Sequence, residues 1–325
     1  MMKFVVKRLA QVVVVLFLIL TVLFVLFRLA PGDPVERMID PEMTTQEADH
    51  LIRELGLDKP IYTQYTIYLK NFVMGQFGHS IHYGEPVAKI IWEKLPNTVM
   101  LFTTAVLLSA LVGISWGKVA AWSKGKGKDL ALTIASLVTH TLFLPWLALL
   151  LIWFFGFQLG WFPIGGMMST PEDLLDDLGV PWWEAALDVG YHMVLPLTTL
   201  FLIHFGSYLL VMRSSMLDTL KEDYIVTARA KGLSEKDIRN RHAAPNAMLP
   251  VVTSVGLSLA FSINGGALTE TVFSWPGIGR ELVFAVSHND YPLAQACFLL
   301  IATVVLFSNV VVDVLYAYLD PRIRY

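Results

Sequence analysis

The chain has 325 residues, 55% hydrophobic and only 16% charged, with a formal net charge of −3. Soluble domains carry roughly a quarter charged residues, so this composition and a mean hydropathy of +0.58 point to a chain partly solvated by lipid. The slight acidity leaves no electrostatic footprint for nucleic acid. A single cysteine, Cys297, excludes an internal disulfide and any cysteine-based metal cluster.

A bilayer crossing takes about 20 predominantly apolar residues. Uncharged runs of that order occur at Ala10–Phe27, Val99–Gly117, Leu130–Leu159, Val189–Met212, Ala243–Thr269 and Tyr291–Val312. They predict an all-α polytopic membrane protein with six transmembrane helices. The third and fifth runs exceed the need, so parts of them are expected at the interface or in short loops. Lys3, Lys7 and Arg8 ahead of the first run would also suit a signal peptide. That run is long for the purpose, and Arg28-Leu-Ala-Pro-Gly-Asp-Pro34 offers no small-x-small cleavage site, so it is read as a retained helix.

Between the first two runs, residues 31–95 are expected to form a small extracytoplasmic lobe. Thr44 and Thr45 before Glu47 start a helix that ends near Gly56. A second helix, Pro60 to Met74, carries tyrosines and leucines at helical spacing and stops at Gly75. So small a lobe buries little core alone and is expected to pack on the mouth of the bundle.

Lysine and arginine placement orients the spans. Basic residues cluster at the amino terminus, at Lys124, Lys126 and Lys128, between Arg213 and Arg241, and at Arg322 and Arg324. The loop between runs three and four has neither Lys nor Arg but is acidic from Glu172 to Asp188, and the loop between runs five and six has only Arg280. Both termini are therefore expected in the cytoplasm. Long outer segments translocate largely regardless of charge, which accommodates the basic residues of 31–95.

The basic segment between runs four and five is the most informative. Asp223-Tyr-Ile-Val-Thr-Ala-Arg-Ala-Lys-Gly232 reads as a short helix with Asp223 as N-cap. Gly232 suits the left-handed residue that ends a helix. Ser234 and Asp237 resemble a capping box that starts another, and Pro245 disfavours helical geometry at Ala244, so a bend is expected there. Ile225, Ala228 and Gly232 share one stripe, where small residues would let another protein approach the backbone. An ordinary solvated loop is the bland alternative. A DNA-reading helix-turn-helix is disfavoured by its tether to six spans.

Ionisable groups at bilayer depth are costly and often functional. His140 and His204 fall in the third and fourth runs, as pathway contacts or, preferably, as histidines bonded between helices. Asn264, flanked by Gly265 and Gly266, could line a pathway or mark close helix packing. His192 is expected at the interface and Asp313 in a pair with the terminal arginines. Trp161, Trp182, Trp183 and Trp275 read as an aromatic belt. There is no phosphate-binding G-x-x-x-x-G-K-[ST]; Lys124-Gly-Lys-Gly-Lys128 is a basic loop. With no H-E-x-x-H, no G-x-S-x-G and no carboxylate pair within the runs, no catalytic residue and no metal site is expected. A secondary transporter would need a midplane ion site and internal repeats, neither of which is clear.

The loop resembles the EAA loop of binding-protein-dependent ABC importer permeases, where a Gly is followed thirteen positions later by Pro, as Gly232 and Pro245 are here. Val226-Thr-Ala228 stands where that motif has Glu-Ala-Ala. This departure, with Thr227-Ala-Arg-Ala-Lys-Gly232, resembles the dipeptide/oligopeptide/nickel branch. So do Leu29-Ala-Pro-Gly-Asp-Pro34, Leu55-Gly-Leu-Asp-Lys-Pro60, Gly75-Gln-Phe-Gly-His-Ser80, Leu95-Pro-Asn-Thr98, Asn246-Ala-Met-Leu-Pro250, Glu270-Thr-Val-Phe-Ser-Trp-Pro-Gly-Ile-Gly279 and Leu319-Asp-Pro-Arg-Ile-Arg-Tyr325. Only the acidic insert near 168–188 has no counterpart.

The resemblance implies a type I importer permease (MetI-like) of the bacterial or archaeal inner membrane. Residues 1–30 would form an N-terminal helix, 31–95 the outer lobe, and 96–325 a five-helix core with a coupling loop at 213–249. Its implied partners are a homologous second permease, two ATPase subunits or domains, a periplasmic or lipid-anchored solute-binding protein, and membrane lipid. The chain itself would need no cofactor, ATP being bound by the ATPases. Tyr224, Ile225, Ala228, Arg229, Lys231, Gly232 and Pro245 would couple to an ATPase. Peptide is the expected solute, with nickel or another small solute as the alternative.

Overall fold

The computed structural model describes residues 2–29, 59–170, 179–262 and 266–319, with side chains except at 2–5, 28–29, 312–313 and 315–319. The helix expected from Thr44 to Gly56 lies outside the described residues, as do Asn264 and the side chain of Asp313. What is described is almost wholly helical. The helices are α1 (Met2–Leu29), α2 (Ile61–Val73), α3 (Val87–Trp122), α4 (Gly127–Thr141), α5 (Leu144–Gln158, π-helical over its last turns), α6 (Trp182–Thr219), α7 (Asp223–Ala230), α8 (Glu235–Ala247, π-helical over Ile238–Ala243), α9 (Leu249–Phe261), α10 (Ala267–Val272), α11 (Ile278–Ser287) and α12 (Tyr291–Leu319).

By length and apolarity, α1, α3, α6 and α12 can each cross a membrane, and the bent pairs α4–α5 and α8–α9 raise the number to as many as six. Two expected spans are therefore broken. The run Leu130–Leu159 bends by 100° between α4 and α5. Leu142 and Phe143 are extended there, and Pro145 opens α5 at a position where its missing N–H costs nothing. The run Ala243–Thr269 yields only α9 as a straight helix, bent by 50° from α8. Conversely, α3 and α6 extend well beyond their uncharged cores and carry Pro96 and Pro196 inside. α2 ends where expected, with Gly75 left-handed at φ +69°.

The chain divides into two compact units. One comprises Met1–Thr98, Ile263–Thr271 and Pro276–Tyr325. Here the first turns of α3 (Val87, Ile90, Ile91) pack on α11 (Ile278, Leu282) and α12 (Leu293, Cys297). α1 lies along α12, with Leu20 and Leu23 against Leu299 and Phe27 edge-on to Tyr291. Two acidic side chains organise the polar joints of this unit. Fully buried Glu270 accepts from the Thr98 hydroxyl at 2.8 Å and the Arg280 N–H at 3.0 Å, while Thr98 Oγ1 accepts from Ile278 N at 2.9 Å. Burial pushes its carboxyl above the ordinary range against the pull of these donors. Gly277 and Gly279 fit this joint because a Cβ on either would stand 2.5 to 3.0 Å from the Glu270 carboxylate. Asp290 caps α12 through Leu293 N and also holds the 80–82 turn through Ser80 Oγ and His82 N.

The other unit, Val99–Ser262 with Val272–Trp275, is built around α6. Gly113 and Gly117 form a small-xxx-small face on α3 that lets it press directly onto α6. A Cβ at Gly113 would lie 2.7 Å from the Phe205 carbonyl oxygen, and one at Gly117 2.8 Å from that of Leu209. Gly206 makes the same approach to α4, where a Cβ would stand 2.6 Å from the Ser136 oxygen. At the basic end, Arg213 of α6 donates to both Asp129 carboxylate oxygens of α4, at 2.6 and 2.9 Å. Trp275 corrects an expectation: it is fully buried among Leu101, Ala105, Met193 and Leu200, not part of a surface belt. Trp161, Trp182 and Trp183 are exposed. His192 is buried, its Nδ1 2.9 Å from the Asp188 carbonyl oxygen one turn earlier.

Replacing Gly117 by Leu should therefore cost about 1–3 kcal/mol by overpacking a backbone contact that cannot yield. Gly256→Ala, where a Cβ meets nothing within 4 Å, should be neutral or stabilising by up to about 1 kcal/mol. Melting curves of the two purified variants in one detergent check the contrast; equal melting would refute the close α3–α6 contact.

Candidate functional site

The basic loop folds as a compact elbow on the end of α6. α6 closes with Leu220 N bonded to the Met216 oxygen at 3.0 Å, and two tight turns lead into α7. The N-cap is Glu222, extended at ψ 143° and without a side-chain cap, not Asp223 as expected. Asp223 instead occupies the first turn, where an acidic side chain still favours the positive helix end. α7 ends in a Schellman motif: Gly232 is left-handed at φ +75°, its N–H bonds the Arg229 oxygen at 2.9 Å, and Leu233 N reaches the Ala228 oxygen at 3.4 Å. Ser234 then caps α8, its Oγ accepting from Asp237 N at 3.1 Å. Arg229 Nε donates to Glu235 across the turn at 3.1 Å.

The elbow has an inside and an outside that the sequence stripe did not distinguish. Ile225 and Ala228 are buried, packed with Met212, Met216, Ile238 and Ala243. They are thus not an open surface for a partner, which corrects the expected role of that stripe; the demand for a filled core under a short helix outweighs it. Exposed on the outside are Tyr224, Val226, Arg229, Lys231 and Leu233. Val226 and Leu233 were missed, though an apolar residue out of phase with the buried stripe was the available signal. Tyr224 also ties the elbow to its own base, its hydroxyl accepting from Asn246 Nδ2 at 2.8 Å.

The bend expected at Ala244 is not there. Ala244 is helical (φ −60°, ψ −42°) and the chain turns at Met248, between Pro245 and Pro250. The π-helical turn over Ile238–Ala243 widens the helix just before Pro245. Its ring therefore escapes the carbonyl that would clash in a regular α-helix.

Farther along α4 and α6, His140 and His204 are both exposed on this unit. His140 Nδ1 lies 3.2 Å from the Ile203 carbonyl oxygen and 3.3 Å from Ser207 Oγ, so the inter-helix bond expected for a histidine is present. The expected burial is not. Among the described residues, no group of three or more His, Cys, Asp or Glu could hold a metal ion.

A helical elbow held rigidly to membrane-length helices, with the Gly–Pro spacing described above, narrows the family sharply. Residues 109–325 match the family described as "Binding-protein-dependent transport system inner membrane component", and residues 1–102 match that system's N-terminal membrane component. The chain belongs to this family. A di/tripeptide transport system permease protein of Pseudomonas aeruginosa is 38% identical over 100% of this chain and 99% of its own length. An oligopeptide transport system permease protein of Bacillus subtilis is 34% identical over 100% of both chains. A glutathione transport system permease protein of Escherichia coli is 37% identical, also over 100% of both. The protein is accordingly an ABC importer permease of the inner membrane, from a transport family and not an enzyme family. Such permeases work with a partner permease, ATPases and a solute-binding protein.

The elbow's geometry fixes what its disruption should do. Gly232→Val forces a β-branched residue into the left-handed region, at a cost of about 1–2 kcal/mol. Gly232→Asn should be better tolerated, since asparagine enters the left-handed region far more readily than a β-branched residue, and a Cβ there meets no atom within 4 Å in either variant. Both variants should insert normally, with coupled ATPase activity lost in the first and largely kept in the second. Equal activity in both would show that the left-handed turn is unimportant.

Proposed function

We propose that this chain is the pathway-forming permease subunit of an ATP-driven peptide importer. The observation that supports this best is the full-length similarity to permeases named for peptide transport, at 34–38% identity, together with an elbow built to transmit force. In this reading the chain crosses the membrane six times with both termini in the cytoplasm, as its Lys/Arg distribution favours. Residues 31–95 form an outer lobe, and a homologous permease completes the pathway. A periplasmic or lipid-anchored binding protein delivers the peptide. Two ATPases, which alone bind nucleotide, each take one permease elbow into a cleft.

The lever is the helix Tyr224–Lys231. Its contact surface to the ATPase is Tyr224, Val226, Arg229 and Lys231, with Leu233 just beyond the turn. Ile225 and Ala228 act from inside, fastening the lever to α6, while Gly232 and Pro245 set its two ends. A rigid attachment matters because nucleotide can move the permease only by binding one conformation better than the other. A lever that flexed at its root would dissipate that difference. His140 and His204 are assigned to a water-filled pathway or to the partner permease, since exposed polar groups at bilayer depth need either. Asn264, between Ile263 and two glycines, stays open to either reading, pathway lining or close helix packing.

Two measurements test this. Affinity purification in mild detergent should recover a second permease and Walker-motif ATPases in stoichiometric amounts, and reconstituted complexes should take up labelled peptides only with ATP. A lone homo-oligomer transporting without ATP would refute the reading. In addition, Ser234→Cys should be shielded from an impermeant thiol reagent on intact cells and labelled after permeabilisation; native Cys297 is buried and should stay silent. Labelling on intact cells would place the elbow on the wrong side.

A further inference from the structure

In the first unit a cavity of about 670 Å³ opens between α1, α2 and the start of α12, within the range of small-molecule sites. Its walls have two characters. Phe24 and Phe27 of α1, Phe72 of α2 and Leu299 of α12 make it apolar. Lys59, Tyr68, Asn71, Gln76 and Gln295 supply polar groups able to donate, and no carboxylate lies among the described lining residues. Such a site favours an anion attached to something greasy.

Tyr68 sharpens the chemistry. Its hydroxyl oxygen is buried and has no hydrogen-bond partner among the described residues. Its ring is held against Phe24, with centroids 5.6 Å apart. Tyr65 one turn earlier satisfies its own hydroxyl on Thr21 at 2.7 Å, so the helix is well placed to pair its phenols. Burial first, then the Tyr65 phenol, pushes the Tyr68 pKa up to about 12; it is a neutral donor at any physiological pH. An orphaned buried hydroxyl is destabilising and uncommon in native structures.

The setting identifies the greasy part. Phe24 and Phe27 end one candidate span, and Tyr291 to Leu299 begin another. The cavity therefore lies at a membrane interface, which is the outer leaflet if the termini are cytoplasmic. α2 beside it leaves Ile61, Tyr62, Val73 and Met74 exposed by 58 to 82%, the mark of a helix lying among lipid headgroups and upper acyl chains.

We propose that this cavity binds an anionic phospholipid, whose phosphate accepts hydrogen bonds from the Tyr68 hydroxyl and from Lys59 while an acyl chain lies along Phe24, Phe27, Phe72 and Leu299. Such a lipid fastens α2 and the outer end of α1 to α12. A peptide carboxylate or free phosphate shares the acceptor but lacks the chain.

The test uses the importer complex, purified with its partner subunits and stripped of lipid. Melting is followed on adding phosphatidylglycerol, phosphatidylcholine, inorganic phosphate or a dipeptide, and phosphatidylglycerol binding is titrated by native mass spectrometry. Phosphatidylglycerol alone should raise the melting point. Tyr68→Phe should melt at or above the parent when delipidated, because the lost hydroxyl had no partner, yet bind phosphatidylglycerol about tenfold more weakly. Lys59→Gln should also weaken it. Equal binding by parent and Tyr68→Phe would mean annular lipid only, and a full shift with phosphate or dipeptide would mean another ligand. A delipidated Tyr68→Phe less stable than the parent would reveal an internal partner for the hydroxyl. Any of these overturns the proposal.

Discussion

Inside a hydrocarbon slab a peptide group finds no water, so each N–H and C=O must be satisfied within the protein. That constraint selects helices for the candidate spans among the described residues. It also makes helix-to-helix contact the central problem, because lipid tails are as apolar as leucine and provide little hydrophobic drive for association. Here contact is won by removing side chains. Gly113, Gly117 and Gly206 let α3 and α4 meet α6 backbone to backbone, and the Arg213–Asp129 fork then locks the basic end. The stiffness of α6 is the foundation on which the elbow stands.

The elbow extends that stiffness beyond the helical bundle. A short helix such as α7 is marginal in isolation; it persists because Ile225 and Ala228 are driven into a core shared with Met212 and Met216. The left-handed Gly232 reverses the chain in the fewest residues, and the Ser234 cap restarts it without an unpaired amide at Asp237. On the outward side Tyr224 and Arg229 brace the elbow through Asn246 and Glu235, while Val226, Lys231 and Leu233 stand exposed. The cost of the design is a fixed turn that tolerates few residues.

The first unit handles its polar groups differently. Glu270 and Asp290 are deeply buried acids, each surrounded by donors from segments distant in sequence. They act as joints where helices would otherwise lack complementary apolar surface. Against that well-satisfied background the orphaned Tyr68 hydroxyl is conspicuous, and a lipid partner restores consistency.

Much of this was legible in the residues. Spans follow from long uncharged runs, because hydrocarbon penalises charge wherever it falls. The stop at Gly75, the turn at Gly232 and the cap at Ser234 follow from local backbone chemistry, each met by the residue's own φ or hydroxyl. Membership of the family was likewise readable from ordered motifs. Other features needed the three-dimensional structure. Which face of α7 is buried depends on the surface α6 offers, so Ile225 and Ala228 turned inward. Trp275 is buried by neighbours remote in sequence. The bends within the third and fifth runs depend on how two prolines and a π turn share the strain. Local signals mark many helix ends, though not the N-cap of α7 or the bend near Pro245; only the assembled neighbours decide what each side chain faces, since burial is a property of pairs of elements and not of one.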